Sequence, residues 1–360
     1  MRQGWLRMHN IKLSIIVPIF NTPEMMLIEC LESLSSSKHA MLEFLLIDDG
    51  SEEFIDRICK KFILMDKRFK YFRQENQGVS AARNLGILKS NGKWITFLDP
   101  DDKLEKNFDE ILLNYYDDSY DILFGGYTTF FSDGKLKCSY SGTELVNLTE
   151  DNNRTSNELL KSLLSVSLDY SKSQGFYLGT PWGKFIKRSF IFENSIFFDT
   201  YLKKRQDALF AAKMYAKDPK VCTLNQNIYY YRIDNDKSIT KRYNSEIKKI
   251  YLHLFQEIEK TYYACNIKET NPLTLYSYDL TKELINLDFC NVNNNFGYKK
   301  RQQAFLEFRE TEKIKKYDNF MFNKEMKLWK NCLYYLIKHK MFFVLNFIYL
   351  ERKFTNIIGR

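Results

Sequence analysis

The chain has 360 residues, 44% of them hydrophobic and 28% charged, which suits one large core or two domains and excludes a disordered or fibrous protein. Seven cysteines without a CxxC spacing and four histidines without a ligand-spaced pair exclude a disulfide scaffold and a zinc centre and suit a reducing cytoplasm. The net charge of +9 is uneven: residues 299–360 hold 15 Lys+Arg against 6 Asp+Glu, and residues 1–298 hold 39 of each, so the basic character belongs to the C-terminal tail and points to an anionic partner there.

Residues 1–12 carry no apolar leader core, and no apolar run reaches the roughly 18 residues that span a bilayer. Leu13–Phe20 is a continuous apolar run and predicts a buried parallel strand. Thr22 and Pro23 read as an N-cap and first helical residue for a helix over 24–35. Strands follow over 43–47, 69–73 and 93–98, alternating with helices over 52–65 and 78–90. Four strand–helix alternations with short loops predict an open parallel sheet with helices on both faces. Ligands of such sheets lie at the carboxyl ends of the strands, where this sequence places Asn21, Asp48-Asp49 and Asp99-Pro100-Asp101-Asp102.

Further along, 121–131 and 135–140 predict a hairpin across Ser132-Asp133-Gly134, and 149–157 a polar mobile loop. A helix is expected over 206–217 and a strand over 227–233. From residue 241 Gly and Pro nearly vanish and helix-period patterns take over. The reading is therefore two regions, 1–240 and a helical 241–360.

Three carboxylates within the four residues Asp99 to Asp102 repel one another, and a hard divalent cation bridging to phosphates would relieve this. The plain alternative is a solvated turn that caps a helix. Asp48-Asp49-Gly50-Ser51 is a second acidic turn; it suits hydrogen bonds from a base or ribose, or again capping. No GxGxxG follows the first strand and no GxxxxGK[ST] occurs, which disfavours a dehydrogenase and a P-loop NTPase. The balanced charge of residues 1–298 and the lack of a known motif disfavour nucleic-acid binding.

Four segments together are more specific. Val17-Pro18-Ile19-Phe20-Asn21, Asp48-Asp49-Gly50-Ser51, Asn76 to Gly86 (NQGVSAARNLG) and Phe97-Leu98-Asp99-Pro100-Asp101-Asp102 resemble the family 2 glycosyltransferases in order and spacing. The likeness is strong over residues 11–110 and looser to 240. It implies the α/β GT-A fold, a Rossmann-like, mostly parallel sheet flanked by helices, with 1–240 as the nucleotide-sugar-binding and catalytic domain. It also implies roles. Pro18, Phe20 and Asn21 would line the base pocket, with Phe20 where the family more often has Tyr. Asp48 and Asp49 would hold the base or ribose, and Arg83 would lie near the nucleotide. Asp99, Asp101 and Asp102 look like the family's DxD motif, with Asp101 or Asp102 on Mn²⁺ or Mg²⁺.

Trp182-Gly183-Lys184 is similar to a W-x-K segment of these enzymes. Gln206-Asp207-Ala208-Leu209-Phe210 resembles the family's Glu-Asp helix start, which makes Asp207 the catalytic base. A helix-terminal carboxylate is its plain alternative. Arg232, after Tyr230-Tyr231, would clamp the diphosphate, with an ordinary surface arginine as its plain alternative. The resemblance implies an inverting transfer from a UDP-sugar to a glycan or lipid-linked acceptor in bacterial surface-polysaccharide synthesis. Gln206 and Phe20 keep a sugar-nucleotide or glycan-binding module without turnover as the alternative. The basic, aromatic tail 299–360 suits an anionic membrane surface and a peripheral cytoplasmic location. It equally suits packing or an oligomer contact.

Overall fold

The computed structural model describes residues 13–37, 41–115, 117–142, 156–165, 177–234, 244–291, 293–324 and 326–349. The chain divides into two compact units. One comprises residues 1–156 and 179–237, the other 157–178 and 238–360. The loop expected over 149–157 lies outside the described residues up to 155, and its last two residues belong to the helix Ser156–Leu164.

The first unit is built on one nine-stranded sheet. Its strands are β1 (Leu13–Ile19), β2 (Leu42–Asp48), β3 (Phe69–Arg73), β4 (Trp94–Phe97), β5 (Lys103–Leu104), β6 (Ile122–Phe130), β7 (Leu136–Tyr140), β8 (Lys184–Lys187) and β9 (Val221–Arg232). The spatial order is β3-β2-β1-β4-β8-β6-β9-β5, with β7 paired to β6. β3, β2, β1 and β4 run parallel, as the strand–helix alternation predicts. The other half is mixed: β8 is antiparallel to both β4 and β6, β9 is parallel to β6, and β5 is antiparallel to β9.

Every residue of β1 and β2 is buried, without alternation, because helices cover both faces of a parallel sheet. Among the described residues the helices of this unit are α1 (Glu24–Ser35), α2 (Glu53–Met65), α3 (Val79–Lys89), α4 (Phe108–Tyr115), α5 (Arg188–Glu193) and α6 (Gln206–Tyr215). Thr22 does not cap α1. Pro23 itself stands at the N-cap with extended backbone, and its carbonyl accepts the Leu27 N–H. α2 buries Ile55, Cys59 and Phe62, one face at a spacing of four and three. α3 lies so close on β1 that a Cβ on Gly86 would sit 2.3 Å from Ile16 Cγ2. Only glycine permits that approach, and it brings the N-terminal turn of α3 up to the carboxyl ends of the strands.

The second unit is helical. α7 (Ile247–Ala264) buries Ile247, Ile250, Tyr251, Leu254, Phe255, Ile258 and Tyr262, a regular helical stripe. α8 (Asn271–Leu284) is buried along most of its length and runs into a π-helical turn at Ile285–Phe289. α9 (Tyr298–Glu310), α10 (Leu328–Lys338) and α11 (342–349) follow. Arg309 of α9 is wholly buried, yet its charge is met: the guanidinium bonds Asp318 and Thr281 and lies over the Tyr278 ring. Among the described residues no helix is long and apolar enough to cross a membrane.

Candidate active site

The parallel register Ile19↔Asp48, with β4 on the other side of β1, brings the carboxyl ends of β1, β2 and β4 to one edge of the sheet. Phe20 and Asn21 follow β1, Asp49 follows β2 and Asp99 lies just past β4. Phe20 is 44% exposed, a large ring left open at that edge, while Pro18 is buried within β1. Asn21 takes a left-handed conformation (φ 46°). Its N–H donates to Ser51 Oγ and its Oδ1 accepts the Glu52 N–H, so the loops after β1 and β2 are laced together.

Asp48 and Asp49, which the resemblance casts as base or ribose ligands, are buried and accept hydrogen bonds from protein donors. Asp48 accepts the Ser51 N–H (2.8 Å), the Tyr71 hydroxyl (2.5 Å) and an Arg73 N–H (3.0 Å). Asp49 accepts the Gln74 amide and the backbone N–H groups of Gln77 and Gly78. A buried carboxylate needs such donors to remain charged. Both tie the turn after β2 to β3 and to the loop that follows it. Gly50, at φ 78°, completes the turn; a Cβ there would lie 2.9 Å from the Asn76 nitrogen. Asp49→Ala would strip two backbone N–H groups of their acceptor and is expected to cost about 1–3 kcal/mol, measurable as a lower urea midpoint. Unchanged stability would mean that this tie carries no load.

Arg83 is the hub of the site. It is buried in α3, and its two terminal nitrogens reach carboxylates far apart in sequence. Nη2 donates to Asp99 at 2.8 Å and Nη1 to Asp207 at 2.6 Å. Its guanidinium also lies 5.3 Å from the Phe198 ring centroid. The arginine expected beside the nucleotide thus joins the loop after β4 to the first turn of α6. Burial raises the Asp207 pKa above the usual aspartate value. The Arg83 charge opposes that shift, and Asp99 adds to it.

Asp102 does not face outward. It is 1% exposed, its Oδ2 accepts the Tyr229 hydroxyl at 2.6 Å and its Oδ1 accepts the Arg232 N–H at 2.7 Å. Burial, with Asp101 and Asp99 beside it, pushes its pKa well up. Arg232 is engaged on the same loop. Nε donates to the Asp101 carbonyl, Nη2 to Glu29 and Nη1 to Ser132, and the guanidinium lies 4.5 Å from the Phe130 ring centroid. Asp101, half-buried between them, and Asp99, with Oδ1 on Arg83, are the carboxylates at the edge itself.

Tyr229 is not among the residues singled out from the sequence, and Tyr231 is named there only beside Arg232. Tyr229 donates to Asp102 and accepts the Asp99 N–H, and its ring stacks on Trp182 at 4.4 Å. Tyr231, two residues further along β9 and so on the same face, also stacks on Trp182 with ring centroids 5.3 Å apart, while Tyr230 points to the other face and donates to Glu105. The two-residue period of a strand was the signal available. Lys184, named only as part of a motif, is wholly buried and held by Thr180 and the Trp182 carbonyl. Burial pushes its pKa well down, against the pull of Asp207.

A Rossmann-like sheet, parallel in one half and flanked by helices, with acidic turns at the carboxyl ends of its parallel strands, is a GT-A architecture. The model of glycosyl transferase family 2 matches residues 14–166. Glycosyltransferase GlyG of Streptococcus pneumoniae is 30% identical over 227 residues, 61% of this chain and 70% of GlyG. This chain belongs to glycosyl transferase family 2. Glycosyltransferase GlyA of the same organism is 33% identical over 224 residues, 62% of this chain but only 30% of GlyA's length. Staphylococcus aureus TarS 1-349, solved in complex with UDP-GlcNAc, has the same fold. Its TM-score is 0.62 at 18% identity, with 92% of this chain and 88% of that one covered.

Proposed function

We propose that the protein transfers a sugar, with inversion, from a UDP-sugar to a hydroxyl of a glycan or lipid-linked acceptor in cell-surface polysaccharide synthesis. The observation that carries this reading is the Arg83 bridge, because it draws the loop of Asp99 and Asp101 and the carboxylate of Asp207 into one site. The TarS complex, which holds UDP-GlcNAc on the same fold, supports the donor class.

Asp207 takes the proton of the acceptor hydroxyl as that oxygen attacks the anomeric carbon. Its raised pKa makes it a better base than an exposed aspartate. The leaving nucleoside diphosphate departs as an anion, so no second carboxyl is needed as an acid. Phe20, open at the sheet edge, offers a face to the base.

The residues at the edge fit a divalent cation of the Mn²⁺ or Mg²⁺ type. Among the described residues no cluster of three or more ligands forms a protein-only cage, but these ions are commonly held by one or two carboxylates together with substrate phosphates. Asp101, with Asp99 beside it, would hold the ion; Asp102, buried with both oxygens engaged, does not suit that role. The ion, when bound, supplies charge neutralisation at the departing diphosphate. A lipid-linked acceptor also places the enzyme peripherally on the inner face of the plasma membrane.

A screen of nucleotide sugars with Mn²⁺ tests the donor. A UDP-sugar is expected to raise the melting temperature most and to release UDP slowly by hydrolysis. Equal stabilisation by every base, or no turnover with any of them, contradicts the reading.

A further inference from the structure

The helical unit carries apolar side chains outside as well as inside. On α10 Leu333, Tyr334 and Ile337 are buried together with the polar Lys330 and Asn331, whereas Leu328 is 69% and Trp329 45% exposed. The buried amide is satisfied: the Asn331 side chain bonds both Asn323 backbone groups and the Met326 carbonyl. Outside, Leu328, Cys332 and Tyr335 lie at i, i+4 and i+7, which is one helix face, and all are exposed. α11 repeats the pattern. Phe342, Leu345 and Asn346 are buried, while Phe343 is 71% and Phe347 55% exposed. Two consecutive helices thus each present an aromatic stripe to the surroundings. Soluble surfaces seldom carry such a stripe without a partner.

We propose that these two stripes are a docking face for an anionic lipid surface. Charge selects this occupant. The stripes lie in the segment that accounts for the entire net charge of +9, with exposed Lys324 and Lys327 immediately before α10. Aromatic side chains settle at the headgroup level and lysines pair with anionic headgroups. A symmetric contact with a second copy would set the same cations against each other. The proposal extends the peripheral location already inferred to a defined face. It is independent of the glycosyl-transfer reading, because vesicle binding needs neither donor nor turnover, and either can fail alone.

The test is flotation of the full chain with vesicles of phosphatidylcholine alone and of an equimolar mixture with phosphatidylglycerol, at low and high salt. Expected are preferential, salt-sensitive binding to the mixed vesicles and a loss of about tenfold or more in the combined variant Trp329→Ser, Phe343→Ser, Phe347→Ser. The charge variant Lys324→Glu, Lys327→Glu, which leaves the apolar faces intact, should lose binding as well and covers the case in which the triple variant melts early. Equal binding to both vesicle types, or full binding by both variants, overturns the proposal. So does a wild-type dimer that the triple variant converts to monomer, since a second copy would then cover the face.

Discussion

Asp207→Asn is expected to lower the rate of sugar transfer by about 10³-fold while leaving donor affinity within a few-fold of wild type. The substitution keeps the size of the side chain and one oxygen for Arg83, so α6 and the bridge to Asp99 should persist. What disappears is the capacity to accept a proton from the attacking hydroxyl. Steady-state rates measured beside UDP titration separate the two. Equal losses in rate and affinity would make Asp207 a binding residue, and an unchanged rate would remove it from the chemistry.

Arg83→Gln should act differently. Without the forked guanidinium, the loop after β4 and the start of α6 lose their common anchor, and a displacement of about 1 Å between reacting groups costs on the order of 10²-fold. The pH profile carries the sharper signature. On the proposed mechanism Asp207 acts without its proton, so the rate should rise with pH through the Asp207 pKa. Arg83 favours the charged carboxylate, while burial and Asp99 oppose it. Removing the guanidinium raises that pKa further, so the ascending limb moves to higher pH. Arg83→Lys keeps the charge but not the fork; it should lose rate yet shift the limb less. A profile that does not move in either variant would mean that Arg83 merely packs α3 against the sheet.

The parallel half of the fold was legible in the residues because its cues are local. Apolar runs without alternation in β1 and β2, short loops and acidic turns after β2 and β4 predict both the architecture and the edge where the site lies. β5 and β8 escaped notice. Two and four residues long, they owe their existence to pairing with β9 and with β4 and β6 rather than to any period of their own. The acidic residues themselves were legible, but not their direction. For Asp48, Asp49 and Asp102 the sequence shows charge without showing which protein donors meet it. Folding supplies Tyr71, Gln74, Tyr229 and backbone N–H groups, which turn all three inward. Arg232 is spent in the same way, on contacts 100 to 203 residues away. The link from Arg83 to Asp207 spans 124 residues, and no spacing rule reaches that far.

Calorimetric titration of UDP, with and without Mn²⁺, into wild type, Asp101→Asn and Asp207→Asn bears on the donor site most directly. The site described here predicts Mn²⁺-strengthened UDP binding in wild type, retained in Asp207→Asn and reduced to the metal-free level in Asp101→Asn. Binding by Asp101→Asn that still gains from Mn²⁺ as wild type does, or UDP that fails to bind wild type at all, would contradict it.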